Sequence, residues 1–267
     1  MMANVQRDPL RLFDVAGKVA IITGASGTFG QTCAVSLGAL GAKLMLASGD
    51  PAGLEACATG VRSAGGEAQT LVRRPDSAQD AEDIVQAALQ RFGRLDILVV
   101  ASGLNKTGLI DAMPLDDWEG VMDANVRGPW LMAKAAGRHF IAAGVRGKVL
   151  FLSSVRGRLG NAHGYSAYCT SKGATDSLTR VLATEWGRHG ICVNAIAPTI
   201  FRSKLTAWIF GDDDKARQTR ERSLVRTPLG RLGEPEDLIG ITLYLVSKAS
   251  DYCTGQVIYV DGGYTAA

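Results

Sequence analysis

The chain has 267 residues, of which 46% are hydrophobic and 21% are charged, and its formal net charge is +3. This length fits one large domain or two small ones, and the hydrophobic content is high enough for a sizeable core, which excludes a disordered chain. The small net charge gives no reason to expect a nucleic acid or a membrane surface as partner.

The cysteines and histidines argue against a disulfide framework and against a metal site. No two of the five cysteines form a C-x-x-C pair, and none of the three histidines stands in an H-E-x-x-H spacing. The N-terminal segment has no apolar stretch of signal-peptide length, and no run approaches the roughly 18 apolar residues of a membrane span. We therefore expect a cytoplasmic protein without a bound metal.

Apolar, β-branched runs alternate with longer segments of helical period. The runs lack strict polar alternation, as expected for strands that are covered on both faces. The predicted strands are residues 18–23, 42–47, 67–72, 96–101, 148–153, 192–197 and 256–260. This pattern predicts an α/β fold, a three-layer doubly wound Rossmann fold with a seven-stranded parallel sheet, in a single domain over residues 1–267.

Residues 75–93 are predicted to form a helix with clear start and stop signals. Ser77 can cap the amino end, Ile84 and Ala88 lie on one apolar stripe, and Gly93 ends the pattern.

One stretch, at about residues 199–230, interrupts the strand–helix rhythm and is strongly polar. It is either a helical insertion that forms a lid over a binding cleft or a solvated surface helix, and the sequence favours neither. Its arginines could attract an anionic substrate such as a sugar acid, although solvated surface charges are the simpler interpretation. These arginines are Arg217, Arg220, Arg222 and Arg226.

A glycine-rich turn stands directly between the first predicted strand and the first predicted helix. Glycines allow a tight turn and a close approach to a pyrophosphate, and the helix amino end supplies free N–H groups. The alternative is an ordinary glycine-rich turn without a ligand. The candidate cofactor contacts in this turn are Gly24, Ser26, Gly27, Thr28, Phe29 and Gly30.

Further cofactor contacts are expected where the parallel strands end, because ligands of open α/β sheets bind at the carboxyl ends of the strands. The residues predicted there are Ser48, Asp50, Ala101, Ser102 and Gly103. An acid at the end of the second strand would select NAD, whereas an arginine would favour the extra phosphate of NADP. Asp50 stands beyond the expected place, and Arg73 and Arg74 follow the third strand, so the sequence leans slightly towards NADP.

A tyrosine and a lysine stand four residues apart on a predicted helix, after a serine that closes the fifth strand. Tyr168 and Lys172 therefore share one helix face, which places an ammonium near a phenol. Lowering a tyrosine pKa from about 10 to near 7 needs roughly 4 kcal/mol. Such a tyrosine could exchange a proton with a hydroxyl or carbonyl group while hydride moves to or from a nicotinamide. The pair alone is common on helix surfaces, and only its combination with the glycine turn makes it notable.

Taken together, the motifs resemble those of the short-chain dehydrogenase/reductase family over nearly the whole chain. They are TGASGTFG, DILVVASG, MDANVRGPW, SSVRGRLG, YCTSK, VNAIAPT and PLGRLGEPEDLIGITLYLVSKASDYCTGQVIYVDGG. The resemblance implies that Tyr168 is the acid/base, that Lys172 binds the nicotinamide ribose, and that Ser154 orients the substrate carbonyl, with Ser153 as the alternative serine. It also implies that Asn125 holds a water of the proton relay. Pro198, Thr199 and Ser203 become cofactor contacts after the sixth strand.

The chain departs from the family pattern at four places. Members of the family usually have glycine where this chain has Thr28, and aspartate where it has Arg73. They usually have Asn-Asn-Ala-Gly in place of residues 100–103, and glycine in place of Thr199. All four lie on the cofactor side, and none removes a catalytic group.

The function that follows is an NAD(P)-dependent oxidoreductase that interconverts a secondary alcohol and a ketone. The alternative is a nucleotide-binding regulatory protein with weak or no catalysis. The expected partners are a small-molecule alcohol or ketone and further copies of the chain, in a homotetramer or homodimer.

Overall fold

The structure is a computed structural model that describes residues 8–267, so residues 1–7 of the N-terminal segment lie outside it. Seven parallel strands form one sheet in the order β3-β2-β1-β4-β5-β6-β7. The strands are β1 (Val19–Thr23), β2 (Lys43–Ser48), β3 (Glu67–Val72), β4 (Ile97–Val100), β5 (Lys148–Leu152), β6 (Cys192–Pro198) and β7 (Val257–Val260). The predicted parallel sheet is confirmed, and every predicted strand boundary lies within one residue of the observed one.

Helices cover both faces of the sheet. They are α1 (Thr28–Ala39), α2 (Pro51–Ser63), α3 (Ala78–Phe92), α4 (Leu115–Met122), α5 (Gly128–Ala142), α6 (Ser166–Trp186), α7 (Asp214–Val225) and α8 (Ile239–Val246). Successive residues of β1 point to opposite faces: Ile21 packs with α3, α5 and α6, whereas Ile22 packs with α1, α2 and α8. Because both faces are buried, the strands read as continuous apolar runs.

Helix α3 begins and ends where the sequence predicts. The Ser77 hydroxyl accepts a hydrogen bond from the Asp80 N–H at 3.1 Å, and Gly93 adopts a left-handed conformation with φ of 76°. Ile84 and Ala88 are fully buried on its inner face.

The polar stretch between β6 and α8 holds a short 3₁₀ helix (Ala207–Phe210) and α7. Most of α7 faces solvent and only Ala216 is buried, which agrees with the surface-helix interpretation. The flanks of this stretch nevertheless line a cavity of about 150 Å³ that also contacts Thr199 at the end of β6. Its action as a lid therefore stays a prediction.

A second cavity, of about 370 Å³, lies at the amino ends of β1, β4 and β5, opposite the predicted site. Lys148 is buried there, and its ammonium contacts the Asp251 carboxylate at 2.8 Å. Across residues 8–267, no helix has the length and apolar character needed to span a membrane, and no group of three or more His, Cys, Asp or Glu side chains could hold a metal ion.

Candidate functional site

The glycine turn lies tightly against the segment that follows β4. Gly24 has φ of 67°, and a β-carbon on it would collide with the backbone nitrogen of Ser102. A β-carbon on Gly30 would collide with the carbonyl oxygen of Gly24. Gly27 is the N-cap of α1, and Thr28 is its first residue. The turn therefore needs glycine at positions 24 and 30 and leaves the amino end of α1 open to an anion.

Two buried hydroxyls at this edge have no hydrogen-bond partner among the described residues: those of Thr23, at the end of β1, and Ser102, after β4. Buried polar groups normally have partners, so these two are suited to a bound ligand. At Gly103, a β-carbon would lie 3.7 Å from the Lys172 ammonium and 3.5 Å from the Asn125 side-chain oxygen. The glycine turn, the unpartnered hydroxyls and the open backbone at Gly103 fit a dinucleotide.

The residues predicted to contact the adenosine at the end of β2 already have partners within the chain. The hydroxyls of Ser26 and Ser48 share a hydrogen bond of 2.6 Å, which joins the glycine turn to β2. The Asp50 carboxylate accepts a hydrogen bond from the Gly53 N–H at 3.1 Å and so caps α2. The Phe29 side chain packs into the core, which leaves its backbone for contact with a ligand. The cofactor roles of Ser48, Asp50 and Phe29 stay predictions.

The two arginines after β3 point in different directions. Arg73 pairs with Asp80 at 2.7 Å and Asp83 at 3.0 Å, so its charge is directed at α3. The Arg74 side chain instead crosses the end of β2 and packs against Gly49. A β-carbon on Gly49 would lie 2.7 Å from the Arg74 side chain. Of the two side chains, only that of Arg74 therefore lies at the end of β2.

Tyr168 and Lys172 meet on α6, as their spacing predicts. The Lys172 ammonium lies 5.6 Å from the centre of the Tyr168 ring and donates a hydrogen bond to the Leu152 carbonyl at 2.7 Å. Burial lowers the pKa of Lys172 to about 8, and the nearby Asp176 carboxylate opposes that shift.

The two serines after β5 have different partners. Ser153 is buried and donates a short hydrogen bond to the Asp176 carboxylate. The Ser154 hydroxyl lies 3.4 Å from the Pro198 carbonyl and accepts from the Arg156 N–H at 3.2 Å. Burial raises the pKa of Tyr168 to about 12, and a hydrogen bond with Ser154 opposes that rise. Ser154 is therefore the serine that lies against the tyrosine.

Asn125 occupies a π-helical turn (Asp123–Arg127) between α4 and α5, a feature often found at functional sites. Its amide donates to the Leu104 carbonyl at 2.8 Å and to the Ser171 hydroxyl at 2.9 Å, and its oxygen accepts from the Leu104 N–H at 2.7 Å. Both amide donors are therefore engaged in joining the segment after β4 to α6, and the predicted water relay stays a prediction.

The remaining predicted contacts lie after β4 and β6. The Ser203 hydroxyl shares a hydrogen bond of 2.8 Å with Thr206 and so stabilises its own turn. Ala101 donates its N–H to the Thr23 carbonyl at 3.0 Å.

The sequence did not indicate Arg156 as a site residue, but the structure places it beside the site. Its charge opposes the rise in the Tyr168 pKa that burial causes. The only sequence signal was its position two residues after Ser154.

The sequence is similar to those of known oxidoreductases. A family model described as enoyl-(acyl carrier protein) reductase matches residues 24–265. An uncharacterized oxidoreductase of Mycobacterium tuberculosis is 53% identical over 99% of this chain and 98% of its own length. Gluconate 5-dehydrogenase of Gluconobacter oxydans is 34% identical over 96% of this chain and 98% of its own.

Solved structures agree with the fold. A short-chain type dehydrogenase/reductase from Mycobacterium marinum superposes with a TM-score of 0.90 at 33% identity, over 97% of this chain and 99% of its own. A gluconate 5-dehydrogenase from Burkholderia cenocepacia, solved in complex with NADP and tartrate, gives a TM-score of 0.89 at 32% identity with the same coverage. The chain therefore belongs to the short-chain dehydrogenase/reductase family of oxidoreductases.

Proposed function

We propose that this oxidoreductase interconverts a secondary alcohol and a ketone by hydride transfer, with Tyr168 as the proton donor and acceptor. The observation that carries the proposal is the meeting of Tyr168, Lys172 and Ser154 at the carboxyl edge of the sheet, beside the glycine turn.

Each of these side chains has one task in the proposed reaction. In alcohol oxidation, the Tyr168 oxygen takes the hydroxyl proton. A bound nicotinamide would supply the redox chemistry, as the acceptor of hydride from the carbon that bears this hydroxyl. The Ser154 hydroxyl orients the substrate oxygen. The Lys172 ammonium holds the nicotinamide ribose and places a positive charge beside the tyrosine, which favours the phenolate. In ketone reduction, the proton and the hydride move in the opposite direction.

The cofactor we propose is NADP. Arg74 lies over the end of β2, and Gly49 leaves room for its side chain. Its guanidinium is about half exposed and is 3.4 Å from the Asp76 carboxylate. A phosphate on the adenosine ribose at this position would accept charge-assisted hydrogen bonds from Arg74.

Replacing Arg74 with alanine should raise the Kd for NADPH about tenfold and leave the Kd for NADH within about twofold, because only NADPH carries the phosphate. Quenching of tryptophan fluorescence measures both constants without turnover. Arg73→Gln is the matched control, since Arg73 is paired with α3 and should not alter the preference. Equal weakening of both dinucleotides by Arg74→Ala would contradict the assignment.

The function is tested by titrating NADPH and NADH and then following cofactor reduction with candidate alcohols. Polyhydroxylated acids are sensible first substrates, because several relatives are gluconate dehydrogenases. We expect binding of NADPH and turnover of at least one alcohol. Binding without turnover of any alcohol or ketone would favour the regulatory alternative, and no binding would exclude both functions.

We also propose a homo-oligomer. Helices α4, α5 and α6 expose large apolar side chains, among them Leu115, Trp130 and Val181. Such surfaces often mark interfaces between protein chains. Light scattering of the purified protein measures the state directly.

A further inference from the structure

A guanidinium stands at the substrate side of the candidate centre. Arg156 follows Ser154 by two residues, and its backbone N–H is bonded to the Ser154 hydroxyl. Its guanidinium carbon lies 6.0 Å from the centre of the Tyr165 ring. That ring in turn meets Tyr168 edge-on, with 6.2 Å between their centres. One aromatic ring therefore separates this charge from the proposed acid/base.

No carboxylate balances the charge of Arg156. Among residues 8–267, no Asp or Glu oxygen lies within 4.0 Å of it. Its side chain donates to the Gly160 carbonyl at 2.9 Å and to the Tyr264 hydroxyl at 3.4 Å. A guanidinium has five N–H donors, so three remain without a partner in the described part of the chain. The group is held in place, and its remaining donors are accessible to solvent or to a ligand.

A second guanidinium contacts the same tyrosine. The Arg226 guanidinium carbon lies 4.7 Å from the centre of the Tyr264 ring, and its Nε donates to the Tyr264 carbonyl at 3.3 Å. Arg156 lies 5.9 Å from that ring. Neither arginine forms an ion pair with an acid of the described chain, so like charges gather around one ring. Both side chains are at least partly exposed, so an anion bound here would replace water on their free donors with charge-assisted hydrogen bonds.

We infer that Arg156, assisted by Arg226, binds a carboxylate of the substrate, so that the substrate is a hydroxy acid or the corresponding keto acid. This inference rests on the proposed function and adds the substrate class to it. The planar fork of a guanidinium matches a carboxylate, and its fixed position beside Ser154 would hold the acid while the carbinol carbon faces Tyr168. Tyr264 brings the C-terminal segment into the substrate site, because it contacts both arginines.

The test compares hydroxy acids with their uncharged amides. D-Gluconate, tartrate and 3-hydroxybutyrate are assayed beside the three matching amides, and binding of each to the NADPH-loaded protein is measured by calorimetry. For the wild type we expect at least one acid to have a KM or Kd about 10- to 100-fold below that of its amide. Arg156→Gln should raise the KM or Kd for the acid by about 10- to 100-fold more than that for its amide, so that the ratio between acid and amide approaches one.

Two further variants separate binding from structure. Arg156→Lys keeps the charge without the fork and should recover part of the preference for the acid. Arg158→Gln is the matched control, because Arg158 is exposed in the same loop and contacts the Tyr259 ring at 5.8 Å instead. It should leave the preference intact.

The possible failures are distinguishable. If neutral alcohols are oxidised and no acid is preferred over its amide, the proposed function stands and the carboxylate site is overturned. A preference for sugar phosphates over the acids would also overturn it in favour of a phosphate site. If calorimetry shows an Arg156-dependent preference for an acid but no substrate turns over, the carboxylate site stands and the proposed function fails.

Discussion

Replacing Tyr168 with phenylalanine is expected to lower kcat by about 10²- to 10⁴-fold, the range that general acid–base catalysis contributes. The substitution removes only the phenolic oxygen and keeps the ring beside Lys172. The Kd for NADPH should therefore stay within about twofold of the wild-type value. Steady-state rates of alcohol oxidation and fluorescence titration of the cofactor measure the two effects separately.

Tyr165→Phe is the matched control for this prediction. Tyr165 lies three residues earlier and meets Tyr168 edge-on, so the control makes the same chemical change next to the proposed centre. It should leave kcat within about threefold of the wild type. Unchanged turnover in Tyr168→Phe, or an equal loss in both variants, would refute the role of Tyr168 as the acid/base.

The sheet could be predicted from sequence because its strands are covered on both faces. Ile21 and Ile22 are adjacent and both fully buried, one under each helical layer, so apolar runs mark the strands without periodicity analysis. The bounds of α3 followed from its cap and its left-handed glycine, which are local signals. The start of α7 has a similar local signal, since Asp213 caps it, but the placement of the polar stretch depends on contacts between residues distant in sequence, such as Phe201 and Gly233.

The candidate site was only partly visible in the sequence. The helical spacing of Tyr168 and Lys172 predicts their proximity, since it depends on backbone geometry alone. Spacing gives no information on the π-helical turn at Asn125 or on the cap that engages Asp50, because both depend on which hydrogen bonds the fold completes. For the same reason, Arg156 was missed as a neighbour of the centre.

Spacing also gives no information on desolvation, and this changes the electrostatics of the tyrosine. From the sequence we expect the ammonium of Lys172 to make the Tyr168 phenol more acidic. In the cofactor-free chain, burial instead raises the pKa of Tyr168 to about 12 and lowers that of Lys172 to about 8. In the proposed reaction, acidification of the phenol would therefore need the positive charge of an oxidised nicotinamide in addition to that of Lys172.

The buried ammonium makes Lys172→Met a variant with opposite effects on activity and stability. The pKa of Lys172 falls from 10.5 to about 8 on folding, which corresponds to roughly 3 kcal/mol of destabilisation when the group is charged in both states. At pH 7 the variant should be about 1–3 kcal/mol more stable than the wild type, because methionine has no charge to bury, and this gain exceeds the loss of the hydrogen bond to Leu152 and of the attraction to Asp176. Turnover should fall by at least about 10²-fold, since the proposed ribose contact and the charge beside Tyr168 are lost.

The dependence on pH identifies the cause of that stabilisation. Below about pH 8 the lysine is protonated in both folded and unfolded wild type, and the destabilisation is complete. Between about pH 8 and 10.5 the unfolded wild-type chain binds more protons than the folded one, so its free energy of unfolding rises with pH and the advantage of the variant shrinks. Urea unfolding of the cofactor-free proteins at pH 7 and pH 9.5 should show the difference falling by about 2 kcal/mol. Lys148→Met, which removes the other buried lysine, should instead destabilise the protein at pH 7, because the fully buried Ser250 hydroxyl loses the hydrogen bond that Lys148 donates and the ion pair with Asp251 is lost. The contrary result would be a Lys172→Met variant that is less stable than the wild type at pH 7, with a difference in free energy of unfolding that does not change with pH. In that case the ammonium is not desolvated, and Lys172 does not destabilise the fold.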